Sequence, residues 1–279
     1  MTDRRAFYYH SARRYLRDRH ARWADTYSQL PNQGRQADDF HYTEEAKSIF
    51  PRYQVLDAMA VEVDVLDPDR LPPDNALLEW LQTTALGAEN LFTKRRESSS
   101  VEGKVQEEER QLFLQFVEAL PQADVEPIAA LPYRRTLGTE EARQWRSAIQ
   151  RSWGLDGLDF WEPLRRTEVG GKPVLALQSD AFWNGSEPTG TASLAIRRAL
   201  LHLDVSRLLE LREHGPEFEL ETETAAFVYT GAEGMFFSRD LDWLIFASHE
   251  GVTTLGGSVV DELRRSWSGL DLALWEGRD

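Results

Sequence analysis

The stretch 121–132, PQADVEPIAALP, constrains the fold more than any other part of this chain, because two regions of different hydrophobic period meet there. Its prolines at 121, 127 and 132 fix φ and remove backbone donors, so neither a helix interior nor a central strand runs through it. Before it, apolar residues recur every three or four positions; after it, they alternate or cluster in short blocks. The expected class is α+β. A helical domain over 1–125 precedes an α+β domain over 126–279 with a mixed, mostly antiparallel sheet and flanking helices.

In the front part, Phe7/Tyr8, Ala12, Tyr15/Leu16, Trp23, Tyr27 and Leu30 mark one apolar stripe of a helix over 5–30, with Arg on the other face. Thr43 before Glu44 and Glu45 reads as an N-cap followed by acids in the first turn. The helix it opens is expected to break or restart at Pro51 and to run toward Leu66. A loop over 67–74, a helix over 73–92, a polar stretch over 94–103 and a helix over 104–120 complete this part.

The back part reads as a strand at 133–137, a helix over 139–154 and a hairpin over 167–178 that turns on Gly170-Gly171. Two helical stretches, 191–202 and 204–214, come next. Strands at 217–229, 235–239, 242–248 and 252–256 follow, with a closing helix at 258–267. Seven of the nine Trp lie after residue 132, which predicts the larger core there.

Charge is uneven. Residues 1–35 hold eight Arg against three Asp, giving +5, and subtracting this from the net −15 leaves about −20 on the rest. An acidic exterior favours solubility and repels phosphate backbones. The absence of Cys excludes disulfides, thiolate nucleophiles and Cys-based zinc sites, and fits a reducing compartment. The first residues show no secretory apolar core and no stretch approaches a membrane span, so the expected location is cytoplasmic, with no membrane partner.

The sharpest local pattern is Glu217-Phe-Glu-Leu-Glu-Thr-Glu-Thr224. In a strand, Glu217, Glu219, Glu221 and Glu223 share one face at steps of roughly 7 Å, with Phe218 and Leu220 turned to the core. Such a row suits a basic protein partner, or simply a solvated edge protected from aggregation. As a metal site it is poor, because ligands in a straight row diverge.

Asp240, Asp242, His249 and Glu250 form the best set of reactive side chains for an enzyme reading, a metal-dependent hydrolase or nuclease. Ser248 and His249 are adjacent in a strand and point to opposite faces, so they cannot form a dyad with each other. Asp38, Asp39, His41, Glu44 and Glu45 are dense in ligand atoms, yet capping explains them at less cost. The six His lack metal-ligand spacing, Glu102-Gly-Lys104 is too short a match to a nuclease tail, and Gly170-Gly-Lys172 is a turn. No cofactor and no metal are expected. Arg13, Arg14 and Arg17, interleaved with Tyr and Trp, could grip phosphates and stack on bases, although helical periodicity sends the aromatics inward.

The meander and closing helix, Met235–Trp267, resembles in outline acidic bacterial proteins that neutralise toxins or accompany defence systems, over about an eighth of the chain and without a specific motif. The leading expectation is a non-catalytic cytoplasmic binding or regulatory protein. It would engage a basic partner through Glu217, Glu219, Glu221, Glu223 and neighbouring acids, as an immunity or defence accessory. The enzyme reading comes second, and a nucleic-acid accessory using the Arg-rich helix third.

Overall fold

A computed structural model describes residues 3–31, 42–93, 99–126, 128–154, 168–169, 171–185 and 187–275. The chain is α+β and separates into two compact units, residues 1–131 and 132–279.

The first unit holds α1 (Arg4–Ser28), α2 (Glu44–Val63), α3 (Asp74–Gly87) and α4 (Val101–Ala119). Three of these helices open on side-chain caps. Asp3 accepts from the Arg5 amide, Thr43 from Ala46 at 3.1 Å and Ser100 from Gly103 at 3.0 Å, each satisfying a donor that the first turn leaves free. The stripe of α1 buries Tyr8, Tyr9, Ala12 and Leu16 against Val55 and Met59 of α2, Leu81 of α3 and Phe113 of α4. Contrary to expectation, α2 runs unbroken through Pro51, which is itself buried. A mid-helix proline costs about 3 kcal/mol in isolation. Burial of Ile49, Val55, Leu56 and Met59 on both sides of it outweighs that cost.

Among the described residues the second unit holds an eight-stranded antiparallel sheet in the order β1-β5-β4-β6-β7-β8-β3-β2. Its strands are β1 (Arg134–Thr136), β2 (Glu168–Val169), β3 (Lys172–Gln178), β4 (Arg207–Arg212), β5 (Phe218–Glu221), β6 (Gly234–Phe237), β7 (Trp243–Ala247) and β8 (Val252–Gly257). Helix α5 (Thr139–Trp153) lies on one face, where Ile149 and Trp153 pack on Leu209, Leu211, Phe237, Leu244 and Phe246. Helix α6 (Thr191–His202) packs on α7 (Ser258–Ser266), which rests against β3, β7 and β8, and a short α8 (Leu270–Ala273) follows. Every residue of β7 is buried, as a central strand covered on both faces requires.

Two expectations fail here. The stretch 204–214 is not helical: Asp204 takes φ 60°, which ends the preceding helix, and Leu208, Leu209 and Leu211 then bury as β4. Leucine favours helix locally, but pairing with β5 and β6 overrides that preference. The strand expected over 217–229 stops at Glu221, where a 3-10 turn over Thr222–Thr224 begins. The Thr222 hydroxyl donates to the Val205 carbonyl at 2.8 Å and the Thr224 hydroxyl to Glu221, local bonds that compete with the ladder.

At the β8–α7 junction Gly257 has φ 81°, and a Cβ there would stand 2.0 Å from the Asp242 carbonyl oxygen.

Candidate functional site

The acidic strand sits where α5 approaches the β1–β5 edge of the sheet. Strand register sets Arg135 of β1 directly across from Glu219 of β5, so the two side chains share a face. Glu219 is 6% exposed and accepts from both flanks. Arg135 donates to Oε2 at 3.0 and 3.2 Å, the Tyr133 hydroxyl to the same oxygen at 3.3 Å, and Arg239 to Oε1 at 2.6 and 3.2 Å. Arg135 also forks onto Glu141 of α5 at 2.8 and 2.9 Å. Burial pushes the Glu219 carboxyl up, but the hydrogen bonds from Arg239 and Arg135 outweigh it and hold it below the usual carboxylate range. Glu141 is likewise held down by Arg135.

The other members of the row fare differently. Glu217 pairs with Arg146 of α5, whose guanidinium also reaches the Arg212 carbonyl at 2.5 Å. Glu221 is half-buried at the strand end, and Glu223 is exposed on the 3-10 turn, outside the pleat. The alternation therefore places Glu217, Glu219 and Glu221 on one face as expected. That face is the side covered by α5, and Arg135, Arg146 and Arg239 neutralise its first two carboxylates.

The reactive set of the enzyme reading comes apart. Asp242 lies before β7 and His249 and Glu250 after it, so a five-residue strand, roughly 17 Å long, stands between them. Asp242 accepts from the Ser238 hydroxyl at 2.6 Å and the Ser258 hydroxyl at 2.7 Å, which ties the β6–β7 turn to the start of α7. Asp240 is exposed. Among the described residues no three His, Asp or Glu side chains gather as a metal ion would need.

His249 instead meets Glu233. Its Nδ1 lies 2.6 Å from Glu233 Oε1, which also accepts from the Ser248 hydroxyl at 3.0 Å and the His249 amide at 3.3 Å. With Nδ1 turned to this carboxylate, Nε2 is the outward nitrogen of a ring that is 63% exposed. The Tyr229 ring stands edge-on at 6.3 Å. The signal for Glu233 lay in the hairpin register: Gly234 pairs with Ala247, so the residue before one strand meets the residue after the other.

The Arg-rich helix is largely spoken for. Arg13 is buried and pairs with Asp64 at 2.8 Å, and Arg14 donates to the Ala129 carbonyl at 2.8 Å, while Arg17 is exposed. Arg19 and Arg52 converge on Glu109, which is fully buried and also accepts from the Trp23 indole at 3.1 Å. Tyr15 stacks on Phe116 with centroids 4.4 Å apart. The candidates Asp38, Asp39 and His41 lie outside the described residues, and Glu44 and Glu45 occupy the first turn of α2. Glu102 and Lys104 lie in the first turn of α4. Among the described residues no helix is long and apolar enough to cross a membrane. Comparison with protein-family models, with curated proteins and with solved structures finds no match to this chain.

Proposed function

We propose that the chain is a non-catalytic, cytoplasmic binding or regulatory protein that engages a protein partner with a basic surface. One observation carries this reading: the arginines that meet acids inside each unit do so in pairs that cancel. Arg13 with Asp64, Arg19 and Arg52 with Glu109 and Glu108, Arg135 with Glu141 and Glu219, and Arg146 with Glu217 are examples. Such pairs add nothing to the net −15, which falls to the carboxylates they leave over, and surface charge of this kind steers association rather than holding the fold. Within the acidic strand the contact falls to Glu221 and Glu223, since Glu217 and Glu219 are engaged internally. A role as a bacterial immunity or defence accessory belongs with this reading.

The test begins with native affinity purification and identification of a stoichiometric basic companion. Glu221→Lys with Glu223→Lys should then weaken binding at least about tenfold, chiefly through slower association that salt mimics, with Tm unchanged. Affinity independent of both salt and these substitutions overturns the proposal.

A second reading, a hydrolase with His249 as general base, draws on the Glu233–His249 pair, in which a buried carboxylate orients an exposed imidazole. Hydrolysis of activated esters that is lost in His249→Ala and reduced in Glu233→Gln supports it. Activity equal to buffer, or surviving His249→Ala, refutes it.

A further inference from the structure

Strand β3 is paired with β8 from Val174 to Gln178 on its inner side, whereas on its outer side, among the described residues, β2 reaches only Lys172 and Pro173. Further along that outer edge the chain's own C-terminal part returns. Leu274 stands opposite Leu177, the Trp275 amide donates to the Ala176 carbonyl at 2.9 Å, and Gln178 Nε2 donates to the Leu274 carbonyl at 2.8 Å. Leu274 and Trp275 thus act as a rudimentary extra strand.

The edge they cover is of the kind that recruits other strands. Val174-Leu-Ala-Leu-Gln178 contains neither a charge nor a proline, the two devices that usually blunt an exposed edge. The cover itself is lightly held. Helix α8 buries Leu270 and Ala273, but Leu272 is 91% exposed and Trp275 41% exposed, so little apolar area resists its lifting.

We propose that Leu274–Trp275 is a removable strap over β3, and that a second copy of this chain takes its place when it lifts. An antiparallel strand edge is self-complementary: two β3 edges related by a two-fold axis satisfy each other's outward amides and carbonyls. The absence of charge is what lets this strip close. Two chains of net charge −15 repel through most surfaces, and an uncharged edge is where their backbones can approach. The strap is therefore a guard against joining of sheets, and its release is a route to a dimer.

Trp275→Pro removes the amide that bonds Ala176 and disfavours the paired conformation. Light scattering during size-exclusion chromatography measures the mass across a concentration series, and amide hydrogen exchange follows residues 174–178. The variant should dimerise at least about tenfold more tightly than the parent chain, about 1.4 kcal/mol, with 174–178 protected in the dimer. A variant that stays monomeric at every concentration overturns the proposal, and so does a dimer in which 174–178 exchange freely. Gln178→Ala removes only the side-chain bond to Leu274 and should shift the same two readouts in the same direction. It decides the matter should Trp275→Pro fail to fold, and a monomer there refutes the strap.

Discussion

Glu219→Gln separates a carboxylate that builds the fold from one that decorates it. The replacement keeps the shape and one acceptor, but removes the charge that Arg135 and Arg239 both face and presents an amide N–H₂ to one of them. Breaking a buried ion pair costs about 3–5 kcal/mol. Two features lower that figure here: Arg239 is 56% exposed and can recover water, and Arg135 retains Glu141. A loss of about 2–4 kcal/mol remains. For a unit of this size each kcal/mol lowers Tm by about 2–4 °C, so the expected fall is roughly 5–15 °C. The assay is thermal and urea unfolding monitored by the Trp residues of residues 132–279, with Glu223→Gln as the exposed control, expected within about 0.5 kcal/mol of the parent.

The pH dependence supplies a second axis. Because the Glu219 carboxyl is held below its unfolded value, its stabilisation is complete above about pH 4.3 and is lost as pH falls through the lower folded value. The gap between the parent chain and Glu219→Gln should therefore be widest at neutral pH and close in acid. Equal melting of the variant and the parent at pH 7, or a gap that widens in acid, refutes the account of the acidic strand as an internally neutralised element.

Other substitutions test other joints. Glu109→Ala strands Arg19 and Arg52 and deprives the Trp23 indole of its acceptor, and should cost about 3–5 kcal/mol, read as accelerated hydrogen exchange in α1, α2 and α4. Gly257→Ala, at φ 81° with the Asp242 carbonyl in the way, should destabilise residues 132–279 by more than about 2 kcal/mol in urea titration. Burial pushes the Glu210 carboxyl up, Arg212 at 3.7 Å being too distant to offset it, so the charged form opposes folding. Stability from this group falls as pH rises above the unfolded value, and Glu210→Gln should be more stable than the parent at pH 7 and equal to it in acid.

Much of the architecture follows from local rules. The apolar stripe of α1, the caps at Thr43 and Gly154, the hairpin into β3 and the helix start at Thr191 each depend on residues within one or two turns of one another. The misreadings occur where distant partners decide. Leu208, Leu209 and Leu211 satisfy a helical propensity until β5 and β6 supply a ladder on either side. Pro51 breaks a helix only when the flanking turns have nothing to pack against.

The acidic strand shows where a period-two pattern stops being informative. Alternation in 217–223 identifies the side of the sheet that Glu217, Glu219 and Glu221 occupy, and the pleat obeys it. What waits on that side is set by Arg135, Arg146 and Arg239, 84, 71 and 20 residues away from the carboxylates they bind. Each comes from a different element, and no spacing rule links them to the strand. A row of like charges can persist in one buried stretch only if such counter-charges converge on it, because an unpaired carboxylate there would cost several kcal/mol. Four Glu in alternation thus forecast arginines delivered from elsewhere in the fold at least as strongly as they forecast a partner. In the proposed partner reading, that contact falls to Glu221 and Glu223.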